Sequence, residues 1–156
     1  MSIWCVGRNY VDHAKELGNN VPSQPLFFLK SEATLLRGPT LSYPPHVASL
    51  HYELELAFRF DKHLDLSEMA LALDLTDRQR QNDLKSKGEP WTLAKSFKNS
   101  CPISPWIKFD KNEIYSFELL VNGQTKQSAD QNLMIFKWPE LVSYLKTHFP
   151  VTENDI

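Results

Sequence analysis

His51-Tyr-Glu-Leu-Glu-Leu-Ala-Phe-Arg-Phe60 alternates polar and apolar side chains, and the alternation reads as a β-strand. In a strand Glu53 and Glu55 project to one face, with Cα atoms roughly 6.5–7 Å apart, while Leu54, Leu56, Phe58 and Phe60 project to the other, toward a core. Downstream, Asp74-Leu-Thr-Asp-Arg-Gln-Arg-Gln81 supplies a third carboxylate. Three carboxylates with no Cys or His cluster nearby suit a hard cation, Mg²⁺, Mn²⁺ or Ca²⁺, better than zinc or copper. Alternating Glu and apolar residues are also what any half-solvated strand shows. The pattern alone leaves both readings open.

Working outward, Ile3–Val6 is a short apolar strand ended by Gly7, and Pro25–Leu29 is a second strand. Between them Tyr10–Leu17 has helical spacing, with Val11, Ala14 and Leu17 along one side, and stops at Gly18. The proline-rich stretch from Gly38 to Pro45 is irregular, and Asp61–Leu66 is a turn. Leu66–Asp74 fits helix or strand equally by periodicity. Thr76 with Gln79 forms a capping box for a helix to about Lys87, ended by Gly88 and Pro90. Arg78 and Gln81 share one face of that helix, and Asp74 arrives near the same end. Asn122-Gly123 marks a hairpin with a type I′ turn. Pro139 opens a last helix, with Leu141, Val142 and Leu145 on its apolar side. Strands outnumber helices, so the expectation is one β-rich α+β domain over residues 1–156.

A chain of 156 residues can bury roughly two-thirds of its unfolded surface in one core. Its 17 Lys and Arg against 19 Asp and Glu give a charge of -2, which supplies no field for nucleic acid or an anionic membrane. The basic residues Arg78, Arg80, Lys85, Lys87, Lys95 and Lys98 are interleaved with Asp77, Asp83 and Glu89, against a nucleic-acid face. No apolar run reaches the roughly 18 residues of a membrane span, and the start lacks a signal-peptide pattern, so the expected location is cytoplasmic. Small molecules or protein are the expected partners. Cys5 and Cys101 sit among apolar residues and read as ordinary buried thiols.

Two further groups could carry chemistry. His13 and Glu16 are three apart on the first helix, so the carboxylate can orient the imidazole as a general base; an exposed pair with no role has the same spacing. Lys95 interrupts the apolar run Trp91–Phe97. It reads either as an inward ammonium able to stabilise an oxyanion or as a snorkelling surface lysine.

Taken together, Gly7-Arg-Asn-Tyr-Val-Asp-His-Ala-Lys-Glu16, Pro25-Leu-Phe-Phe-Leu-Lys30, His51–Glu55, Leu73–Gln81 and Gly88-Glu-Pro-Trp-Thr-Leu-Ala-Lys-Ser-Phe97 resemble the fumarylacetoacetate hydrolase family, most of all its small acylpyruvase, oxaloacetate decarboxylase and tautomerase branch. Asn122-Gly123 and Gln127 are similar to its later hairpin. The resemblance implies a mixed β-roll with short flanking helices, commonly a homodimer. It implies that Glu53, Glu55 and Asp74 hold Mg²⁺ or Mn²⁺, and that His13 and Glu16 activate water on a lid. Gln81 and Lys95 would line the attacked carbonyl, and Arg78 and Arg8 would hold the substrate. The implied activity is hydrolysis of acylpyruvates or decarboxylation of oxaloacetate, small 2-oxo acids in either case. An isomerase or tautomerase of hydroxy-dienedioate or oxaloacetate type, and a non-catalytic truncated member, are the alternatives.

Two departures accompany the resemblance. The Asp61–Leu73 connection is shorter than the family layout, so Asp74 is expected to arrive by an altered path. The family continues past the position of Ile156 into a strand and a Thr-Gly-Thr-Pro-Gly closing loop, so the expectation is a C-terminally truncated member or a fragment.

Overall fold

The computed structural model describes residues 1–10 and 22–156. The helix expected over Tyr10–Leu17, with His13 and Glu16, falls outside the described residues except for Tyr10, which bridges Met134 as extended backbone.

Leu54–Phe60 forms a strand, β5, and its apolar alternation is realised, but not as a half-solvated strand. Phe58 packs on one face against Phe109 and Trp138, with ring centroids 5.0 Å and 4.4 Å away. On the other face Ala57 joins a buried cluster with Ile3, Ala70, Ala72, Cys101 and Ile103. The face carrying the glutamates is thus partly covered too, and Glu55 is half-buried rather than displayed to bulk water. Two-sided cover is invisible to periodicity, because alanine is too small to mark a buried face.

The ambiguous Leu66–Leu73 segment is a strand, β6, not a helix. It pairs antiparallel with β5 across the Asp61–Asp65 turn, with Leu54 opposite Leu73 and Glu55 opposite Ala72. The Asp74 amide donates to the Glu53 carbonyl at 2.8 Å, continuing that ladder, so Asp74 lies directly across from Glu53. The short connection is a tight hairpin, and register alone delivers the third carboxylate. Beside β6 stand Cys101–Ile103 (β8) and Ile107–Lys108 (β9), and Leu35–Arg37 (β3) adds parallel to β8.

Ser2–Gly7 (β1) and Leu26–Ser31 (β2) make an antiparallel ribbon with Ile3 opposite Lys30. Ile3 and Cys5 pack onto the Ala57–Ala72 face, so the ribbon is its lid. The thiols of Cys5 and Cys101 are pushed up by burial, which fits inert core cysteines. Leu50–His51 (β4) pairs with Thr76–Asp77 (β7), tying the start of β5 to the helix α1, Arg78–Lys87. The α1 cap is Asp77, whose carboxylate accepts from the Arg80 amide at 3.1 Å, and not Thr76 as the capping-box reading has it. Thr76 is consumed by the β4–β7 bridge. Gly88 ends α1 in the left-handed region at φ 68°. Thr92–Lys95 is a single turn, α2. The hairpin Ser116–Val121 (β10) and Gln124–Asp130 (β11) turns at Asn122 and Gly123, both at positive φ. Trp138–His148 (α3) buries Leu141 and Leu145.

Residues 152–156 return to β1. Asp155 is 1% exposed and accepts from the Ser2 amide at 2.7 Å, Trp4 Nε1 at 3.0 Å and both the amide and hydroxyl of Thr152. Desolvation is the largest single influence on its carboxyl and works to raise the pKa. The Ser2, Trp4 and Thr152 donors outweigh it and hold its pKa below the ordinary carboxylate range. Asp155→Ala should cost about 2–4 kcal/mol at neutral pH, read by urea unfolding. A depressed pKa stabilises fully above the unfolded value, about 3.9, and the benefit fades as pH falls through the folded value, so the gap to wild type should narrow in acid. A gap that widens in acid contradicts this.

Candidate active site

The β5–β6 register puts Glu53 and Asp74 side by side on one face, with Glu55 two residues along and Ala72 opposite it. Alanines at 57 and 72 leave space beside the carboxylates, and a cavity of about 820 Å³ opens there. Glu53, Glu55, Asp74 and Lys95 line it, and so do Arg8, Arg78 and Gln81. The residues singled out from sequence therefore converge, His13 and Glu16 lying outside the described residues.

Lys95 is not a snorkelling surface residue. It is 3% exposed, because α2 turns it inward beside the fully buried Ala94. Its ammonium is 3.1 Å from Glu53 Oε2 and 2.5 Å from Asp74 Oδ2, and lies 5.0 Å over the Phe28 ring. Burial works against its charge, but Asp74 and Glu53 outweigh it and hold its pKa above the ordinary value. Lys95 is thus an ammonium donor at neutral pH, not a base.

Arg78 pairs with Glu53 and donates to Gln81 Oε1 at 2.7 Å. That hydrogen bond orients the Gln81 amide. Its NH₂ group, with no acceptor among the described residues, is the end left for a ligand.

Lys30 was missed as a functional residue. It is 1% exposed, stands 3.0 Å from Asp74 Oδ1, and donates to the Leu75 and Ser100 carbonyls, the Ser100 hydroxyl and the Lys95 carbonyl. Its only sequence signal is that it ends the apolar run Pro25–Leu29 in the register position facing Ile3. A charge at the inner end of an apolar strand is expected to be paired.

Among the described residues no three Cys, His, Asp or Glu side chains stand in the spacing of a finished metal site. Lys95 bridges two of the three candidate carboxylates instead. The donor set nonetheless fits a hard divalent cation. Asp74 Oδ1 is buried and accepts no hydrogen bond, since Lys30 stands at ion-pair distance but off the hydrogen-bond line. Glu55 receives no hydrogen bond among the described residues, and desolvation, then Asp74 and Glu53, push its pKa up to about 8. Three oxygen donors crowded together, one with an unused lone pair, lack positive charge on the Glu55 side.

Residues 2–156 match the family described as fumarylacetoacetate (FAA) hydrolase C-terminal. The chain belongs to the fumarylacetoacetate hydrolase family. It is 39% identical to the mitochondrial oxaloacetate tautomerase of Bos taurus, with 99% of this chain covering 76% of that protein. The mitochondrial oxaloacetate decarboxylase of Dictyostelium discoideum is likewise 39% identical, with 99% of this chain covering 78% of it. Among solved structures, the fumarylpyruvate hydrolase of Pseudomonas aeruginosa, in complex with Mn²⁺ and pyruvate, superposes with TM-score 0.89 at 30% identity, covering 99% of this chain and 75% of that one. These relatives are named enzymes, and the chain is an enzyme of the same family. Its strand-rich fold with few short helices is the family's fold.

Lys30→Met should destabilise the fold by about 3–5 kcal/mol in urea, because Asp74 would keep its burial and lose one of two cations. A change under about 1 kcal/mol contradicts a paired buried lysine.

Proposed function

We propose that the chain is a divalent-metal-dependent enzyme acting on small 2-oxo acids, hydrolysing the C–C bond of acylpyruvates and decarboxylating oxaloacetate. The observation that carries this is the side-by-side placement of Glu53 and Asp74, with Glu55 adjacent and the Lys95 ammonium on the same cavity. In this reading Glu53, Glu55 and Asp74 hold Mg²⁺ or Mn²⁺. A cation there supplies Lewis acidity to the carboxylate and keto oxygens of a 2-oxo acid.

The chain's own residues supply the rest. Arg78, fixed by Glu53 and Gln81, and Arg8 orient the substrate. For an acylpyruvate, His13, oriented by Glu16, takes a proton from water as the water oxygen adds to the distal carbonyl. Charge gathers on that carbonyl oxygen, and Lys95 and the Gln81 NH₂ are the donors that receive it. Collapse breaks the C–C bond, its electron pair leaves with pyruvate enolate, and a proton returns to give pyruvate and a carboxylic acid. For oxaloacetate the broken bond is to the outer carboxylate, CO₂ leaves, and the same enolate is protonated. Hydrophobic cover over the Glu55 face lowers the local dielectric, which strengthens each of these contacts.

The 39% identity to oxaloacetate tautomerases favours a second reading, keto–enol interconversion. It needs only proton transfer between carbon and oxygen at the same site.

Acetylpyruvate and oxaloacetate should be turned over with Mg²⁺ or Mn²⁺ and not with EDTA. Glu53→Ala combined with Glu55→Ala should abolish turnover, and Gln81→Ala should lower kcat by roughly 10²–10³. Turnover that survives EDTA or the double substitution contradicts the metal-dependent reading. Oxaloacetate enolisation without any pyruvate formed from either substrate would select the second reading.

A further inference from the structure

Strand β5 stands at the edge of its sheet, with β6 on one side. Antiparallel pairing alternates, so the peptide groups of Glu53 and Glu55 turn toward β6, where the Asp74 amide donates to the Glu53 carbonyl at 2.8 Å and Ala72 faces Glu55. Leu54, the residue between the two glutamates, has its amide and carbonyl on the opposite edge. Both are met there by one side chain. The Leu54 amide donates to Gln127 Oε1 at 2.7 Å, and Gln127 Nε2 donates to the Leu54 carbonyl at 2.6 Å. Gln127 thus does for buried Leu54 what a neighbouring strand would do.

Gln127 is aimed by an irregularity of its own hairpin. The β10–β11 register shifts between Leu119 opposite Gln127 and Leu120 opposite Thr125, which leaves Lys126 without a partner on β10. A bulge of this kind bends its strand and re-aims the side chains beside it. The chain beyond β11 is fixed as well. Asn9, 6% exposed, donates from Nδ2 to the Phe136 carbonyl at 3.0 Å and accepts from the Phe136 amide at 2.8 Å, and the Ile135 amide donates to the Asn9 carbonyl at 2.8 Å. The stretch from Gln127 to Phe136 is therefore tied at one end to the carboxylate strand and at the other to the segment carrying Arg8. Gln127 holds Leu54 from a fixed base.

We propose that Gln127 is a positioning residue for the cation: by holding the Leu54 peptide extended, it fixes the spacing and tilt of Glu53 and Glu55. This rests on the metal-binding reading of the three carboxylates above and adds the residue that sets their geometry. Leu54 alone separates the two glutamates, so its backbone dihedrals decide whether their carboxylates meet at a common point. Mg²⁺ demands near-ideal octahedral geometry, and a pair of carboxylates left to splay loses affinity for it. Gln127 acts on the ion only through Leu54, as the outer partners that orient metal ligands do.

The test is the Mn²⁺ affinity of the purified protein, read from the EPR signal of the free ion, alongside the urea midpoint. Gln127→Met keeps the side chain's length and removes both hydrogen bonds; in protein that urea titration shows to be folded, it should raise the Mn²⁺ Kd at least about tenfold. Thr125→Ala removes the hydrogen bond from Thr125 to Glu118 in the same hairpin without touching Leu54, and should leave Kd within about twofold of wild type. An unchanged Kd in Gln127→Met, or an equal rise in Thr125→Ala, overturns the role of Gln127. If Gln127→Met does not fold, the wild type still decides. Coupling is reciprocal, so saturating Mn²⁺ should slow hydrogen exchange of the Leu54 amide at least about tenfold, and exchange unaltered by Mn²⁺ overturns the proposal. A wild type that takes up no Mn²⁺ removes the three-carboxylate reading, and this assignment with it; a wild type that binds the ion no better than Gln127→Met leaves that reading standing and removes only the role of Gln127.

Discussion

Asp74 is gripped by two buried ammonium groups, Lys30 on Oδ1 and Lys95 on Oδ2, and much of the molecule is arranged to keep those charges together. A lone lysine with no exposed side-chain surface would be prohibitively costly in a protein interior. Lys30 is tolerable because Asp74 lies beside it and its three N–H donors are shared among four acceptors on Leu75, Lys95 and Ser100. Those contacts join β2, the strand end carrying Asp74 and Leu75, and the turn between α2 and β8. Loss of the pairing would leave no reason for the β1–β2 ribbon to present a charge to the sheet.

The carboxylates themselves are positioned by simpler means. Antiparallel register sets Glu53 across from Asp74, and the pleat sets Glu55 on the same side. Alanine at 57 and 72 supplies the missing volume, and the ribbon supplies the cover. A larger residue at 72 would fill the space opposite Glu55. The site thus follows from a hairpin, two small residues and a lid, with helix α1 adding Arg78 and Gln81 through the β4–β7 bridge.

Much of this was readable in the chain. The Glu-Leu-Glu alternation gave strand and facing, Asn122-Gly123 gave the hairpin, and the spacing of Arg78 and Gln81 gave a shared helical face that became a hydrogen bond. What escaped has physical causes. Leu66–Leu73 is buried on alternate positions by alanines that weigh equally in helix and strand, so only pairing with β5 decides it. Thr76 resembles a cap, but long-range pairing with His51 takes it and leaves the role to Asp77. Lys30 and Asp155 owe their burial to partners 45 and 153 residues away, which no local pattern records.

The metal-binding role of the three carboxylates is tested most directly by Mn²⁺ anomalous diffraction from crystals of the protein soaked in the ion. The expected result is one strong peak within coordination distance of Glu53, Glu55 and Asp74 together. A strong peak elsewhere, or none at that cluster with Mn²⁺ in excess, contradicts it and leaves those carboxylates as counter-ions of Lys30, Lys95 and Arg78 alone.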